Sequence, residues 1–360
     1  MNNMEFSSAI NQKLERYRAF FEHPEAGQLL ITVPPYTFSA PPSDKPREAH
    51  ESAWDPFKDA ELMAERTVNA LRQYTEMTKD VQCDYIPSVC PGYGIGLCSA
   101  FLSNAEVIPG LETSWVHPVL NDPDDMDKYR FDPMNPWVDF MRRYMKRAAE
   151  LWQGDYSVDM LSAFAPSDLA NAMRGNDFFY DLYDEPEKVS RMLSKCADAL
   201  IALYRELRPY TVQPDNGFCA AGLWMPGEGF YMSEDAADLC SPEQYRNFFF
   251  PQTQRIINEI GGAFIHHHAK GWKIHAEISK LQNLRFTEFS WDPNCPRPVD
   301  HLDELLEMSL TTPLQIQCTL RDLKERAEQM RRGRLALMVY ADSIEEAKEA
   351  VRIVRKYSVI

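Results

Sequence analysis

The chain has 360 residues, 44% of them hydrophobic and 12% aromatic, which is enough for a large buried core and too apolar for a disordered protein. Its 54 acidic and 38 basic residues give a formal charge of −16, which argues against nucleic acid or an anionic membrane as a partner. No apolar run approaches the ~18 residues of a membrane span, and the N-terminus does not have the pattern of a secretory signal. The eight cysteines form no CxxC pair, so we expect reduced thiols in a cytoplasmic protein.

Short apolar runs alternate with longer helical patterns along the chain, as is typical of parallel βα units. Helices are predicted at about residues 8–21, 59–77, 186–207 and 343–356, and a further helix begins at Ser241-Pro242-Glu243. Strands are predicted at residues 29–33, 85–89, 156–161, 218–221, 263–267, 285–290, 313–318 and 335–340. Eight strands with intervening helices match a (β/α)8 barrel. The sequence therefore predicts an α/β fold, with a single TIM barrel at 29–360 after an N-terminal helical extension at 1–28.

The most distinctive stretch is the run of histidines in Ile265-His-His-His-Ala-Lys-Gly271. Active sites of TIM barrels lie at the C-terminal ends of the strands, and on a strand His266 and His268 point to one side while His267 points to the other. Two imidazoles at this spacing suit one metal ion, most naturally zinc. The alternative is that one histidine caps the strand and the others form hydrogen bonds in the barrel wall. Candidate third ligands on or after neighbouring strands are Glu288, Asp292 and Cys318.

Two loops supply the remaining candidate residues. Residues 223–235 combine aromatic side chains with Glu228, Glu234 and Asp235, and partial burial can raise the pKa of such a carboxyl group for acid–base work. A solvated acidic loop is the alternative, and Asp235 is the carboxylate we favour. Residues 90–96 contain three glycines but no following lysine, which indicates a tight backbone near a ligand and not a phosphate loop. The residues expected to bind substrate are Tyr93, Trp224, Tyr231 and Lys270.

Several segments, in their order and spacing, resemble the uroporphyrinogen decarboxylase superfamily, which includes cobamide-dependent methyltransferases. They are residues 162–170, Met173-Arg-Gly175, residues 183–187, Asp235 ahead of residues 240–245, Phe250-Pro251 and the histidine strand ending at Gly271. The resemblance covers roughly residues 80–358 and implies a single (β/α)8 barrel.

The resemblance does not favour porphyrinogen decarboxylation. Decarboxylases of the family hold their acidic tetrapyrrole with an arginine-rich segment, and the matching residues 32–36 contain no arginine. Ala172 stands where the family has a substrate-binding tyrosine, and Asp84 is a loose match to an aspartate of the second strand. The methyltransferase branch binds zinc through His-x-Cys-Gly and a second cysteine. His268 matches that histidine, but Lys270 occupies the cysteine position.

We therefore expect methyl transfer or demethylation of a small molecule, with zinc as a candidate cofactor and a corrinoid protein or a folate-type compound as methyl acceptor. In this hypothesis His266 and His268 bind the metal or polarise the substrate, while Asp235 and Glu228 bind or protonate it. One alternative is a decarboxylase-type lyase in which a cationic His268 or Lys270 stabilises carbanion-like charge. Another is a non-catalytic ligand-binding barrel. A homodimer is the default expectation for a soluble enzyme.

Overall fold

In a computed structural model, which describes residues 5–38, 54–109 and 113–360, helices and short parallel strands alternate along the chain. The α-helices are α1 (Ser8–Glu22), α2 (Pro56–Met77), α3 (Leu97–Ser103), α4 (Pro136–Leu151), α5 (Pro166–Arg174), α6 (Asp177–Asp184), α7 (Pro186–Leu207), α8 (Pro242–Gln244), α9 (Phe250–Ile260), α10 (Trp272–Ile278), α11 (Leu302–Ser309), α12 (Leu320–Met330) and α13 (Ile344–Tyr357). None of the helices in these ranges is both long and apolar enough to cross a membrane.

The strands are β1 (Gln28–Thr32), β2 (Ser88–Val89), β3 (Ile108–Pro109), β4 (Ser114–Trp115), β5 (Ser157–Val158), β6 (Ala163–Phe164), β7 (Gly217–Ala220), β8 (Leu223–Pro226), β9 (Phe230–Ser233), β10 (Ala263–His267), β11 (Leu284–Phe289), β12 (Leu314–Thr319) and β13 (Arg334–Tyr340). Seven of them form one parallel sheet in the order β1-β13-β12-β11-β10-β9-β6, and β2 pairs with β5. Because β5 and β6 follow each other in one bent segment, the two sheets together make the eight-position ring of a TIM barrel, which confirms the predicted fold class.

Helix starts follow their capping residues. Asp55 accepts the N–H of Phe57 at the start of α2, and Ser343 accepts the N–H of Glu346 at the start of α13. Proline at the first helical position also begins α4, α5 and α7. These local signals explain why α1, α2, α7 and α13 lie within a few residues of the predicted helices.

The fourth barrel strand is β9, so the prediction of a barrel strand at 218–221 was wrong. Residues in that stretch belong to β7, which pairs with β8 as an antiparallel hairpin. Its two-residue turn, Ala221 and Gly222, has φ values of 51° and 74°, the left-handed conformation typical of tight hairpins. The chain therefore reverses at Gly222 and enters the barrel wall only with β9.

The N-terminal end of the barrel is closed by α1 and the β7–β8 hairpin. Apolar side chains of α1, among them Tyr17 and Phe20, pack with Trp224 of β8 and with inward-facing strand residues such as Phe264 and Phe286. Phe20 stacks on Phe286 with their ring centroids 5.5 Å apart. The floor of the barrel is therefore a packed apolar layer, and the opposite mouth is left for chemistry.

One buried carboxylate joins the two ends of the chain to the barrel wall. Asp84 has no exposed side-chain surface, and its Oδ2 accepts the N–H of Ile31 in β1 at 2.8 Å. The two oxygens also receive both terminal nitrogens of Arg355 of α13 at 2.7 and 2.8 Å, and Nε of Arg16 of α1 at 2.9 Å. Asp84, the loose match to the family's aspartate of the second strand, therefore lies in the barrel wall and has a structural role there.

We expect Asp84→Ala to lower the free energy of unfolding by about 3–5 kcal/mol, because it leaves two guanidinium groups without their buried partner. The control is Asp303→Ala, which breaks an exposed ion pair with Arg332 and should cost no more than about 1 kcal/mol. Urea unfolding followed by circular dichroism measures both. Equal midpoints for the two variants would contradict the role assigned to Asp84.

Candidate active site

The histidine strand β10 ends at the open mouth of the barrel. Backbone alternation turns His266 and His268 toward the mouth and His267 toward the surrounding helices. There His267 is fully buried, with its Nε2 2.6 Å from Nδ1 of His275. The predicted division of the three histidines is thus the one that the strand adopts.

Each mouth-facing imidazole is held at Nδ1 by a carboxylate from β11 or the loop after it. Nδ1 of His266 lies 2.8 Å from Oε2 of Glu288, and Nδ1 of His268 lies 2.6 Å from Oδ1 of Asp292. The two Nε2 atoms face each other at 3.4 Å. A carboxylate on Nδ1 fixes the ring orientation and leaves Nε2 available, as in carboxylate–histidine–metal sites.

Asp235 brings a third group to the same point. Its Oδ2 is 3.3 Å from Nε2 of His268, and its Oδ1 is 3.8 Å from Nε2 of His266. One ligand atom from each of the three residues can be chosen so that all lie within 4.8 Å of one another. Oδ1 of Asp235 is buried and has no hydrogen-bond partner among the described residues, so its lone pairs are available to a further group.

A buried aspartate on α5 holds the Asp235 backbone in place. Asp168 accepts the N–H groups of Asp235 at 3.1 Å and Ala236 at 2.6 Å, together with the hydroxyl of Ser233 at 2.6 Å. Asp168 was not among the residues predicted for the site. Its one signal in the sequence was its place in the family-like segment 162–170.

A glycine and a second aspartate fix the backbone of His268. Oδ2 of Asp238 accepts the N–H of His268 at 2.8 Å. A Cβ atom on Gly271 would lie 1.6 Å from Oδ1 of Asp238, so no larger residue fits there without moving this carboxyl group. Gly271, part of the family-like segment, thus has a steric role beside the site.

The carboxylates determine the charge of the histidines. Burial alone would lower the pKa of His268, but hydrogen bonds to Asp235 and Asp292 outweigh it and raise the pKa to about 11. Burial also lowers the pKa of His266, yet the charge of Glu288 reverses the effect and the net shift is upward. The cluster therefore attracts a cation, and a metal ion that bound here would displace protons from the imidazoles.

A cavity of 240 Å³ adjoins Asp235 at the mouth. Its lining is largely apolar, with Trp115, Phe164 and Ala172, and it offers the polar side chains Ser99 and Asn171. None of the residues that line it in the described part of the chain is lysine or arginine. Such a mixture suits a small molecule with few negative charges.

Three further predicted residues lie close to this cluster. Glu288 contacts His266 directly, as described above. The ring of Tyr231 on β9 stacks on Phe264 and has its centroid 6.2 Å from that of His266, so it lies beneath the cluster inside the barrel. Lys270 is exposed in the short turn after β10, two residues beyond His268.

The structure places the other predicted residues elsewhere. Glu228 precedes β9, near the N-terminal end of the barrel, and is paired with Arg208. Trp224 is buried in the floor, where its Nε1 donates to the carbonyl of Pro214. Tyr93 lines a separate cavity of 480 Å³ beside Trp137.

Cys318 lies on the outer side of β12. Its neighbour Gln317 points inward, where Nε2 contacts Oε1 of Glu288 at 3.3 Å, so alternation turns the thiol of Cys318 outward. There it is fully buried in the core between the strands and the helices, and burial raises the pKa of the thiol strongly. Neither its position nor its protonation suits it to bind a metal ion together with His266 and His268.

Comparisons with known proteins agree with this architecture. The family model for uroporphyrinogen decarboxylase (URO-D) matches residues 31–305. In all, 23 chains of solved structures match. One is a methyltransferase from Methanosarcina mazei with a TM-score of 0.59 and 12% sequence identity, and the alignment covers 89% of this chain and 97% of that one. At that identity the likeness bears on the fold alone. No curated protein matches.

We expect Glu288→Gln and Asp292→Asn each to weaken zinc binding by roughly 10- to 100-fold, because each removes the carboxylate that orients an imidazole. Competition with a chromophoric chelator measures the affinity. Glu228→Gln is the matched control, since it makes a similar carboxylate-to-amide change at the other end of β9. A loss of affinity as large in Glu228→Gln as in the other two would contradict the assignment.

Proposed function

Because the chain belongs to the uroporphyrinogen decarboxylase family, we propose that it is an enzyme with a zinc centre at Asp235, His266 and His268, and that it transfers a methyl group to or from a small molecule beside that centre. One observation carries the proposal: two Nε2 atoms and a carboxylate oxygen converge within 4.8 Å. Three protein ligands with an open position are typical of catalytic zinc.

The donor set differs from that of the related methyltransferases but fits the same metal. Lys270 stands where that branch has a cysteine, and as an ammonium group it has no free electron pair to donate. The carboxylate of Asp235 supplies an anionic ligand in this proposal. Zinc accepts imidazole and carboxylate donors as well as thiolates.

Bound zinc would lower the pKa of a thiol so that the thiolate could accept a methyl group. The protein's own residues prepare the place for that reaction. Glu288 and Asp292 direct the imidazole nitrogens to one point, and Asp168 holds the loop that carries Asp235. The cavity beside Asp235 would position the organic part of the substrate.

The second substrate in this proposal comes from outside the chain. In this proposal a corrinoid would reach the mouth on a separate protein, and a folate-type compound would diffuse in. The methyl group moves without its bonding electrons. When a thiolate is the acceptor, the bond from the methyl group to cobalt or nitrogen breaks, its electron pair stays on that atom, and a new bond forms to the thiolate sulfur. A departing nitrogen takes up the proton that the thiol has lost. When the corrinoid or folate-type compound is the acceptor, the same bonds break and form in reverse.

The cavity favours methyl transfer over decarboxylation of a polycarboxylate. Several carboxylates in one substrate need several cationic partners. The described lining of the 240 Å³ cavity has none. A lyase acting on a less charged acid, with His268 as the cation, is the runner-up and is tested by the same variants.

Protein purified without a histidine tag should hold about one zinc per chain, and His268→Ala should lose it, because the variant removes one of three ligands. Cys318→Ser is the matched control and should keep its zinc, since that thiol faces away from the site. Metal analysis by mass spectrometry measures the zinc content of the wild type and of both variants. If the wild type held no metal, even after incubation with zinc, the zinc proposal would be wrong. The remaining alternatives would then be a lyase and a non-catalytic ligand-binding barrel.

We also expect the zinc protein to demethylate free methylcobalamin in the presence of 2-mercaptoethanol, with the reaction followed by the corrinoid absorbance. Ala172→Tyr should keep its zinc but lose at least about tenfold in kcat/KM, because the larger ring fills the substrate cavity. Lys324→Ala, on the exposed face of α12, is the control. If zinc is present and no methyl acceptor or donor in such a screen supports turnover, methyl transfer is the wrong reaction.

A further inference from the structure

A second cavity, of 420 Å³, lies near the closed end of the barrel between α1, α2, α13 and the start of the second barrel strand. Four basic side chains line it: Lys13, Arg16, Lys79 and Arg355. Asp84 is the one carboxylate among the lining residues of the described chain. In a protein with a formal charge of −16, this is a local reversal of charge.

The basic groups are not all neutralised by protein carboxylates. Arg355 directs both terminal nitrogens at Asp84, and Lys79, in the turn after α2, pairs with Glu76 of that helix. Arg16 shares Asp84 through Nε alone, and its Nη2 is buried without a partner among the described residues. Lys13 donates to a neutral acceptor, the carbonyl of Tyr85, at 2.6 Å.

Arg16 and Arg355 therefore share the single carboxylate of Asp84, and Lys13 has no carboxylate partner among the described residues. A buried or half-buried charge without a counter-ion is costly, and so is a buried N–H group without an acceptor. Burial lowers the pKa of Arg16, and the neighbouring charge of Arg355 adds to this effect although Asp84 opposes it. An anion in the cavity would offset the excess positive charge.

We propose that this cavity binds a small anion through a phosphate or carboxylate group held by Lys13 and Arg16. A guanidinium N–H beside an ammonium group is a common way to bind such oxygens. The volume is large enough for an organic body on the anion, and Gln12, Tyr74 and Gln82 line the cavity around it. This site is separate from the mouth of the barrel and does not depend on the proposed methyl transfer.

Such a ligand would connect parts of the chain that are distant in sequence. Lys13 and Arg16 belong to α1, which closes the floor, whereas Arg355 belongs to the last helix and Asp84 to the wall. An anion bound only by the folded arrangement stabilises it by mass action. Anion binding should therefore raise the melting temperature of the whole barrel.

The test is calorimetric titration of the full-length protein with inorganic phosphate and, separately, with succinate, at constant ionic strength. Both titrations are repeated in His268→Ala, so that an anion bound at the mouth is recognised by its loss. We expect one saturable site that persists in His268→Ala and loses at least about tenfold in affinity in Lys13→Gln. Arg321→Gln, which removes one positive charge from an exposed position on α12, should bind as the wild type does.

A preference for phosphate or for succinate identifies the head group, and either preference supports the proposal. The absence of saturable binding of both probes overturns it. So does an equal loss of affinity in Lys13→Gln and Arg321→Gln, because that would show a general effect of net charge. Since Lys13 contacts only a carbonyl oxygen among the described residues, the Lys13→Gln variant tests the site without breaking the Asp84 ion pairs. Phosphate-dependent melting of Lys13→Gln beside the wild type gives an independent readout.

Discussion

Closure of the barrel depends on the buried carboxylate of Asp84. In the described chain β1 pairs with β13 and β2 with β5, and no strand pairing joins β1 to β2. Asp84 bridges these two strands through both its side chain and its backbone. The same carboxylate holds α1 and α13, so the two terminal helices are fixed to one point of the wall. With α1 fixed, the floor is sealed, and ligands reach the interior from the opposite mouth.

The closed barrel determines which residues meet at the mouth. In a parallel barrel, residues that follow neighbouring strands meet at one edge. Asp235 follows β9, His266 and His268 end β10, and Asp292 follows β11, so three adjacent strands supply the cluster. The order of the strands is enough to bring these groups together. The carboxylates of Glu288 and Asp292 then orient the two imidazole rings.

Much of this arrangement could be predicted from the sequence, and the rest failed for specific physical reasons. Alternation on a strand predicts that His266 and His268 share one side. The same rule separates Gln317 from Cys318, but it cannot be applied until one residue of β12 is known to face inward. Glu228 and Asp235 are seven residues apart in one loop by sequence. The assignment of residues 218–221 to the barrel leaves no strand between Glu228 and Asp235. In the structure β9 lies between these two residues, so Asp235 is at the mouth and Glu228 is near the opposite end.

The exchange of donors also changes the chemistry expected of the proposed centre. Zinc with one imidazole and two thiolates is formally neutral, whereas zinc with two imidazoles and one carboxylate keeps one net positive charge. A more positive centre lowers the pKa of a bound thiol or water more strongly. It also holds a bound thiolate more tightly, which reduces that thiolate's nucleophilicity. Glu288 and Asp292 offset part of this charge through the imidazoles they contact. In the proposed centre, the two carboxylates behind the histidines would thus take over part of the electronic role that thiolate ligands have in the methyltransferase branch of the family.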